Sequence, residues 1–236
     1  MDYKRVLVKI SGEALAGEQK TGIDFKIARA VCSKIRDCVD MGIQIAIVVG
    51  AGNFWRGRNN DNNLDATRAD HMGMLATMMN ALALQDTLIN FGVDTRVLAA
   101  VDMQQFAEPY IRDKAVAHLN NGKVVIFGCG TGNPFFTTDT AAALRAVEIG
   151  ADIVMLAKNV DGIYSDDPNK NPNATKFDKI SYMDVLAKEL SVIDTTATAL
   201  CKDNNMPILL FHLDKDGENI KKALTGDKIV GTIVMN

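Results

Sequence analysis

The sequence lacks most of the signatures by which common enzyme classes announce themselves. No apolar run approaches the ~18 residues a membrane-spanning helix needs, and Met1–Val6 leads into a strand with no long apolar leader, so neither a membrane protein nor a signal peptide is expected. The four cysteines, Cys32, Cys38, Cys129 and Cys201, show no metal-like pairing, and reduced thiols in a cytoplasmic protein are expected. His71, His118 and His212 have no metal-ligand spacing and there is no G-x-S-x-G elbow, which leaves zinc chemistry and hydrolytic triads little support. A net charge of −3 argues against nucleic-acid binding driven by overall charge. Low-complexity segments and internal repeats are also missing. The G-x-G-x-x-G fingerprint fails because its third glycine would fall on Asn133, and this argues against hydride transfer. The Walker pattern fails at both near matches, where Arg58 and Glu18 stand in place of lysine.

What is present is alternation. Apolar runs Val6–Ile10, Ile43–Val49, Thr95–Ala100, Val124–Phe127, Asp152–Leu156, Pro207–Phe211 and Ile229–Met235 read as strands. Between them lie segments with helical spacing. One is capped by Asp24 and ended by Gly42, and a long one runs from Ala69 to Phe91. Shorter ones span Ile111–Asn120, Met183–Lys188 behind Ser181, the stretch from Asp194 to about Asn204, and Glu218–Leu224. This pattern predicts a mainly parallel sheet with helices on both faces and ligands beyond the strands' carboxyl ends, and the length suits one large domain or two small ones. The long helix carries Met72, Met74, Leu75, Met78 and Met79, a wide apolar surface for the core or for another subunit. The stretch from Asn59 to Asp65 reads as a mobile loop, and Lys158–Thr175 as a long functional loop.

Polar, glycine-bearing turns follow the strands at Lys9–Gly12, Gly50–Arg58 and Gly128–Thr140. Glycines let backbone N–H groups approach an anion, Lys9 adds a point charge and Arg56 a planar fork. Such a set suits phosphoryl transfer, which asks mainly for positioning and charge stabilisation. If the acceptor is itself a phosphate, no general base is required. The third turn, Gly128-Cys129-Gly130-Thr131-Gly132-Asn133-Pro134-Phe135-Phe136-Thr137-Thr138-Asp139-Thr140, reads either as a ligand loop whose phenylalanines pack a flat group or as a reversal whose phenylalanines fill core. Asp70, Asp139 and Asp194 read equally as helix caps.

Five segments together resemble the amino-acid kinase family: Lys9–Gly12, Gly50–Asn53, Asp70–Ala76, Gly130–Thr138, and Val160–Tyr164 with Asp167-Pro168. Within it they are most similar to the members that phosphorylate UMP. The resemblance spans nearly the whole chain and implies a single domain over residues 1–236, a three-layer α/β/α sandwich with a mainly parallel central sheet, and ATP-dependent conversion of UMP to UDP in pyrimidine nucleotide synthesis, with Mg²⁺ carried by ATP. It also implies a homohexamer, activation by GTP and inhibition by UTP. Carried over by position, Lys9, Ile10, Ser11, Gly12, Gly52, Arg56, Asn159, Tyr164 and Asp167 would hold ATP, with either Lys158 or Asn159 facing it. Ala51, Asp70, Gly130, Thr131, Gly132, Asn133, Pro134, Phe135, Phe136 and Thr137 would hold UMP. Lys9, Arg56 and Asp194 would be catalytic, Asp194 by orienting the phosphate-binding lysine and the Mg²⁺ region. Alanine at position 51, where the family often has glycine, disfavours positive φ and weakens the expected UMP contact there. Nothing in Glu13–Asp24 reads as a GTP site. The fold is shared with kinases of carboxylates and carbamate, and a nucleotide-binding regulator without turnover is the reading from another class.

Overall fold

The computed structural model describes residues 3–56, 64–168, 170–190, 193–226 and 230–236. Strand β1 (Arg5–Ile10) leads into a short helix α1 (Gly12–Ala16) and a 3-10 turn, then α2 (Phe25–Asp40) and β2 (Gln44–Val49). The long helix α3 (Ala66–Asn90) is followed by β3 (Thr95–Ala99), β4 (Glu108–Pro109), α4 (Arg112–Asn120), β5 (Val124–Gly128) and α5 (Thr138–Ile149). Then come β6 (Ile153–Lys158), a small hairpin of β7 (Ile163–Tyr164) and β8 (Lys176–Phe177), β9 (Lys179–Ser181), α6 (Tyr182–Ala187) and α7 (Thr195–Asp203). Strand β10 (Ile208–His212), α8 (Glu218–Thr225) and β11 (Gly231–Met235) complete the chain.

Nine strands form one sheet in the order β4-β3-β5-β2-β1-β6-β10-β11-β9. Every pairing is parallel except β10 with β11. Buried on both faces, the central strands are continuous apolar runs, as a parallel sheet under two helical layers requires. On β1, Val6, Val8 and Ile10 join the cluster under α2, α3 and α8, while Leu7 faces the cluster under α4, α5, α6 and α7. The expected α/β/α sandwich is therefore what the chain forms.

Local differences have local causes. Helix α3 starts at Ala66 rather than Ala69, because Asp65 accepts from the Arg68 N–H and caps it. Asp70 is thus inside the helix and caps nothing. Strand β6 runs two residues past Leu156, because Lys158 continues the parallel ladder opposite His212. The expected loop from Lys158 to Thr175 therefore begins on a strand, and it also carries β7 of the hairpin. β4, β8 and β9 have two or three residues each, too few for any period to show in sequence. The expected mobile loop falls largely on residues 59–63, outside the described residues.

Candidate active site

Side-chain parity builds the centre. Successive residues of a strand point to opposite faces. Lys9 therefore shares the face of Leu7, and Lys158 that of Val154 and Leu156, which is the face covered by α5. Asp139, in the first turn of α5, meets both lysines: Oδ1 lies 2.9 Å from Lys9 Nζ and Oδ2 2.5 Å from Lys158 Nζ. Burial pushes the Asp139 carboxyl up, but the two ammonium groups outweigh it and hold it below its ordinary value. Burial likewise pulls the Lys158 ammonium below its usual value, against the attraction of Asp139. Asp139 is not the cap of α5. Thr137 is, accepting from the Asp139 and Thr140 N–H groups.

Asp194 takes up the cap that the sequence offered it. It caps α7 by accepting from the Ala197 N–H at 2.7 Å, and it accepts from the hydroxyls of Thr137 and Thr140. So it ties α7 to the N-terminus of α5 and favours the charged form of Lys158 from there, while the carboxylate that pairs directly with Lys9 is Asp139. Lys9, Asp139, Lys158 and Asp194 line a cavity of about 600 Å³, with Phe135 and several threonines. Arg56 does not line it. Its guanidinium pairs with Glu13 at 2.6 Å, beside Gly52, and both side chains are well exposed.

The two turns beside Lys9 are packed backbone to backbone. The Gly50 N–H donates to the Ile10 carbonyl at 2.9 Å, and the Ser11 N–H to Ala157 at 3.1 Å. A Cβ on Gly12 would lie 2.6 Å from the Gly50 carbonyl oxygen, so only glycine lets the turns approach this closely. Behind them sits a pair that sequence reading missed. Asn53 and Asn80, both buried, exchange side-chain hydrogen bonds at 2.8 and 2.9 Å. Asn80 also donates to the Gly50 carbonyl and Asn53 to that of Gly22, so both protons of each amide are used. Ala51 is not among the residues with positive φ, so alanine there carries none of the expected strain.

Two further cavities flank the lysine centre. Asn159, Tyr164 and Asp167, expected at the ATP, line one of about 830 Å³. Adjacent residues at the end of β6 thus serve adjacent spaces, Lys158 the lysine cavity and Asn159 this one. A smaller cavity of about 100 Å³ gathers Ala51, Asp70, Gly130, Thr131, Asn133 and Phe136 from the expected UMP set. Four members of that set lie elsewhere. Phe135 and Thr137 line the lysine cavity. Gly132 holds φ +80° with no room for a Cβ against the Ala100 carbonyl, and it shapes the loop; neither it nor Pro134 lines the small cavity. Asp70 reaches the loop directly, accepting from the Phe135 N–H at 2.7 Å. Neither phenylalanine is core: Phe135 is 68% exposed and Phe136 51%.

The site offers cations, backbone donors and hydroxyls. Burial pushes the thiols of Cys32 and Cys201 up to about 12 and that of Cys38 up to about 11, so none of these is a thiolate nucleophile at neutral pH. Two lysines bridged by one carboxylate at the strands' carboxyl edge, between a nucleotide-sized cavity and a smaller one, suit transfer of a phosphoryl group. A sequence profile described as the amino acid kinase family matches residues 4–212. The chain belongs to the amino acid kinase family. Among solved structures, a UMP kinase from Bacillus anthracis superposes with a TM-score of 0.95 at 38% identity, covering 100% of this chain and 97% of that one. A UMP kinase from Ureaplasma parvum gives 0.93 at 36% identity, with 100% of both chains covered. The uridylate kinase of Archaeoglobus fulgidus gives 0.74 at 28%, covering 97% and 99%. For a member of this family the described residues hold no cluster of three or more His, Cys, Asp or Glu able to cage a metal. No helix among them is long and apolar enough to cross a membrane.

Proposed function

We propose that the protein transfers the γ-phosphoryl group of ATP to UMP, giving UDP and ADP. The observation that carries this is the Lys9–Asp139–Lys158 triad set between the cavity of Asn159, Tyr164 and Asp167 and the cavity of Asp70 and Gly130. The likeness along the full chain to two UMP kinases at 36–38% identity supports the choice of UMP.

In this reading ATP lies over the first two turns with its adenosine toward Asn159 and Tyr164, and UMP lies against the Gly130–Phe136 loop with its ribose toward Asp70. A phosphate oxygen of UMP, already ionised at neutral pH, attacks the γ-phosphorus as the bond to the ADP oxygen breaks. No general base is needed. The two ammonium groups stabilise charge on the group in flight, and Asp139 fixes them without taking a proton. Mg²⁺ would arrive with the ATP phosphates and neutralise part of their charge. Arg56 enters only if it leaves Glu13 when nucleotide binds.

The reading extends to a homohexamer, to activation by GTP and inhibition by UTP, to a place in pyrimidine nucleotide synthesis and to the cytoplasm. Support for the assembly is the exposed apolar face of α3, with Leu75 and Met79 more than half exposed. Purified protein with ATP, Mg²⁺ and each nucleoside monophosphate, coupled to ADP detection, tests the reaction. UMP is expected to turn over far faster than CMP or AMP. Equal rates remove the specificity, and turnover of a carboxylate or carbamate in place of UMP assigns the chain to another branch of the family. UMP and ATP binding without turnover makes it a regulator.

A further inference from the structure

Two consecutive phenylalanines face two different cavities. Phe136 lines the small one with Asp70 and Gly130, whereas Phe135 lines the one that holds Lys9, Asp139 and Lys158. The split has a backbone cause. The Phe135 N–H is held by the Asp70 carboxylate at 2.7 Å, and Phe135 sits at φ +71°, a left-handed conformation a bulky side chain rarely adopts. The loop is pinned on either side of it: Gly132 is pressed against the Ala100 carbonyl, and Thr137 is bonded to Asp194. Phe135 thus lines the lysine cavity while 68% exposed. Around that cavity the other side chains are lysines, aspartates and threonines, apart from Ile193, which is buried in the core. Among the described residues, Phe135 is therefore the one exposed apolar group that lines this cavity.

We propose that Phe135 is the water-excluding residue of phosphoryl transfer: its ring closes on the bound phosphates and bars water from the γ-phosphorus. The proposal rests on the kinase reading above and adds a determinant of fidelity to it. In the productive reaction a UMP oxygen bonds to phosphorus, the bond to the ADP oxygen breaks, and UDP forms with each ADP. In the side reaction a water oxygen bonds to the same phosphorus, ADP leaves, and inorganic phosphate and one proton go to solvent. The two lysines assist both equally, so discrimination falls to whatever excludes water. Asp70 serves both cavities, since the contact that aims Phe135 comes from a residue lining the acceptor's space.

The test measures ADP and UDP in the same reaction for the wild-type protein, Phe135→Ala, Phe135→Leu and Phe136→Ala. The wild-type protein should give equal amounts. Phe135→Ala should raise ADP release in the absence of UMP roughly tenfold and give ADP in excess of UDP at saturating UMP. Phe135→Leu, which restores an apolar cover, should return most of the coupling. Phe136→Ala should raise KM for UMP and leave the ADP to UDP ratio at one. An unchanged ratio in Phe135→Ala overturns the proposal. An equal loss of both products also overturns it, because the ring would then be needed for transfer itself. Failure of the wild-type protein to make UDP sinks the kinase reading instead, an outcome the ratio cannot imitate. Phe135 is exposed, so its truncation leaves the core intact.

Discussion

At the scale of single residues, Asp139 decides whether two like charges can share one small space. Replaced by asparagine, it leaves the ammonium groups of Lys9 and Lys158 facing each other without a counter-charge, in surroundings that already depress Lys158. Breaking a buried pair in this way costs about 3–5 kcal/mol, so Asp139→Asn should unfold at distinctly lower denaturant concentration. Turnover should fall by roughly a hundredfold or more, because the preorganised cations are lost. The pH dependence has a definite sign. The folded-state pKa of Asp139 lies below the unfolded value of about 3.9, so its stabilisation is present in full above that value. It is lost as pH falls through the unfolded value toward the folded pKa. Thermal melts at pH 7, 5 and 3.5 should therefore show a wide gap between wild type and Asp139→Asn that narrows only at the lowest pH. A gap independent of pH would mean that asparagine harms packing rather than charge balance. Thr137 makes a second test. Its hydroxyl caps α5 and also holds Asp194, so Thr137→Ala should cost about 1–2 kcal/mol, and serine should restore most of it.

Between elements, the turns are only as well placed as their supports. Asn80 on α3 holds the Gly50 carbonyl and Asn53, which in turn holds the loop at Gly22. Asn80→Leu strands a buried carbonyl and half of a buried amide, at a cost of about 3 kcal/mol. Because the displaced turn is the one beside Gly12, KM for ATP should rise as well, which steady-state kinetics would show. The pairing was not visible in the sequence: Asn53 closed the Gly50–Asn53 segment, but nothing linked it to Asn80, 27 positions on. Strands and their order of alternation were legible, because a parallel sheet covered on both faces needs continuous apolar runs. The lysine centre was half legible. Lys9 stood out at a strand end, but which helix covers its face came only with the fold. Asp139 was hidden by its look as a helix cap, since Thr137 and Asp139 are both good caps and only the entry angle of α5 chooses between them. Lys158 was already a candidate, with Asn159, for facing ATP, but its meeting with Asp139 was hidden by two residues of strand that the apolar run did not mark.

For the whole molecule, α3 is the element on which site and surface meet. One side of it sends Asp70 to the Phe135 amide and Asn80 to the Gly50 turn. The other side leaves Leu75 and Met79 exposed, one turn apart on a single face. An apolar stripe on a helix whose buried side already fills the core is what a second copy of the chain would cover. The wild-type protein should accordingly sediment well above the 25.6 kDa of one chain. A Leu75→Glu, Met79→Glu double variant puts two charges into that contact. It should sediment as a smaller species and keep its circular dichroism, because neither side chain supports the core of the chain itself. Its KM for UMP should rise more than its KM for ATP, since Asp70 lies on the same turns of α3 as the lost contact while Asn159 and Tyr164 lie across the sheet beyond β6. A wild-type protein that sediments as a single chain would refute the assembly. A smaller variant whose two KM values stay unchanged would show that the exposed face of α3 and the acceptor side are independent of one another.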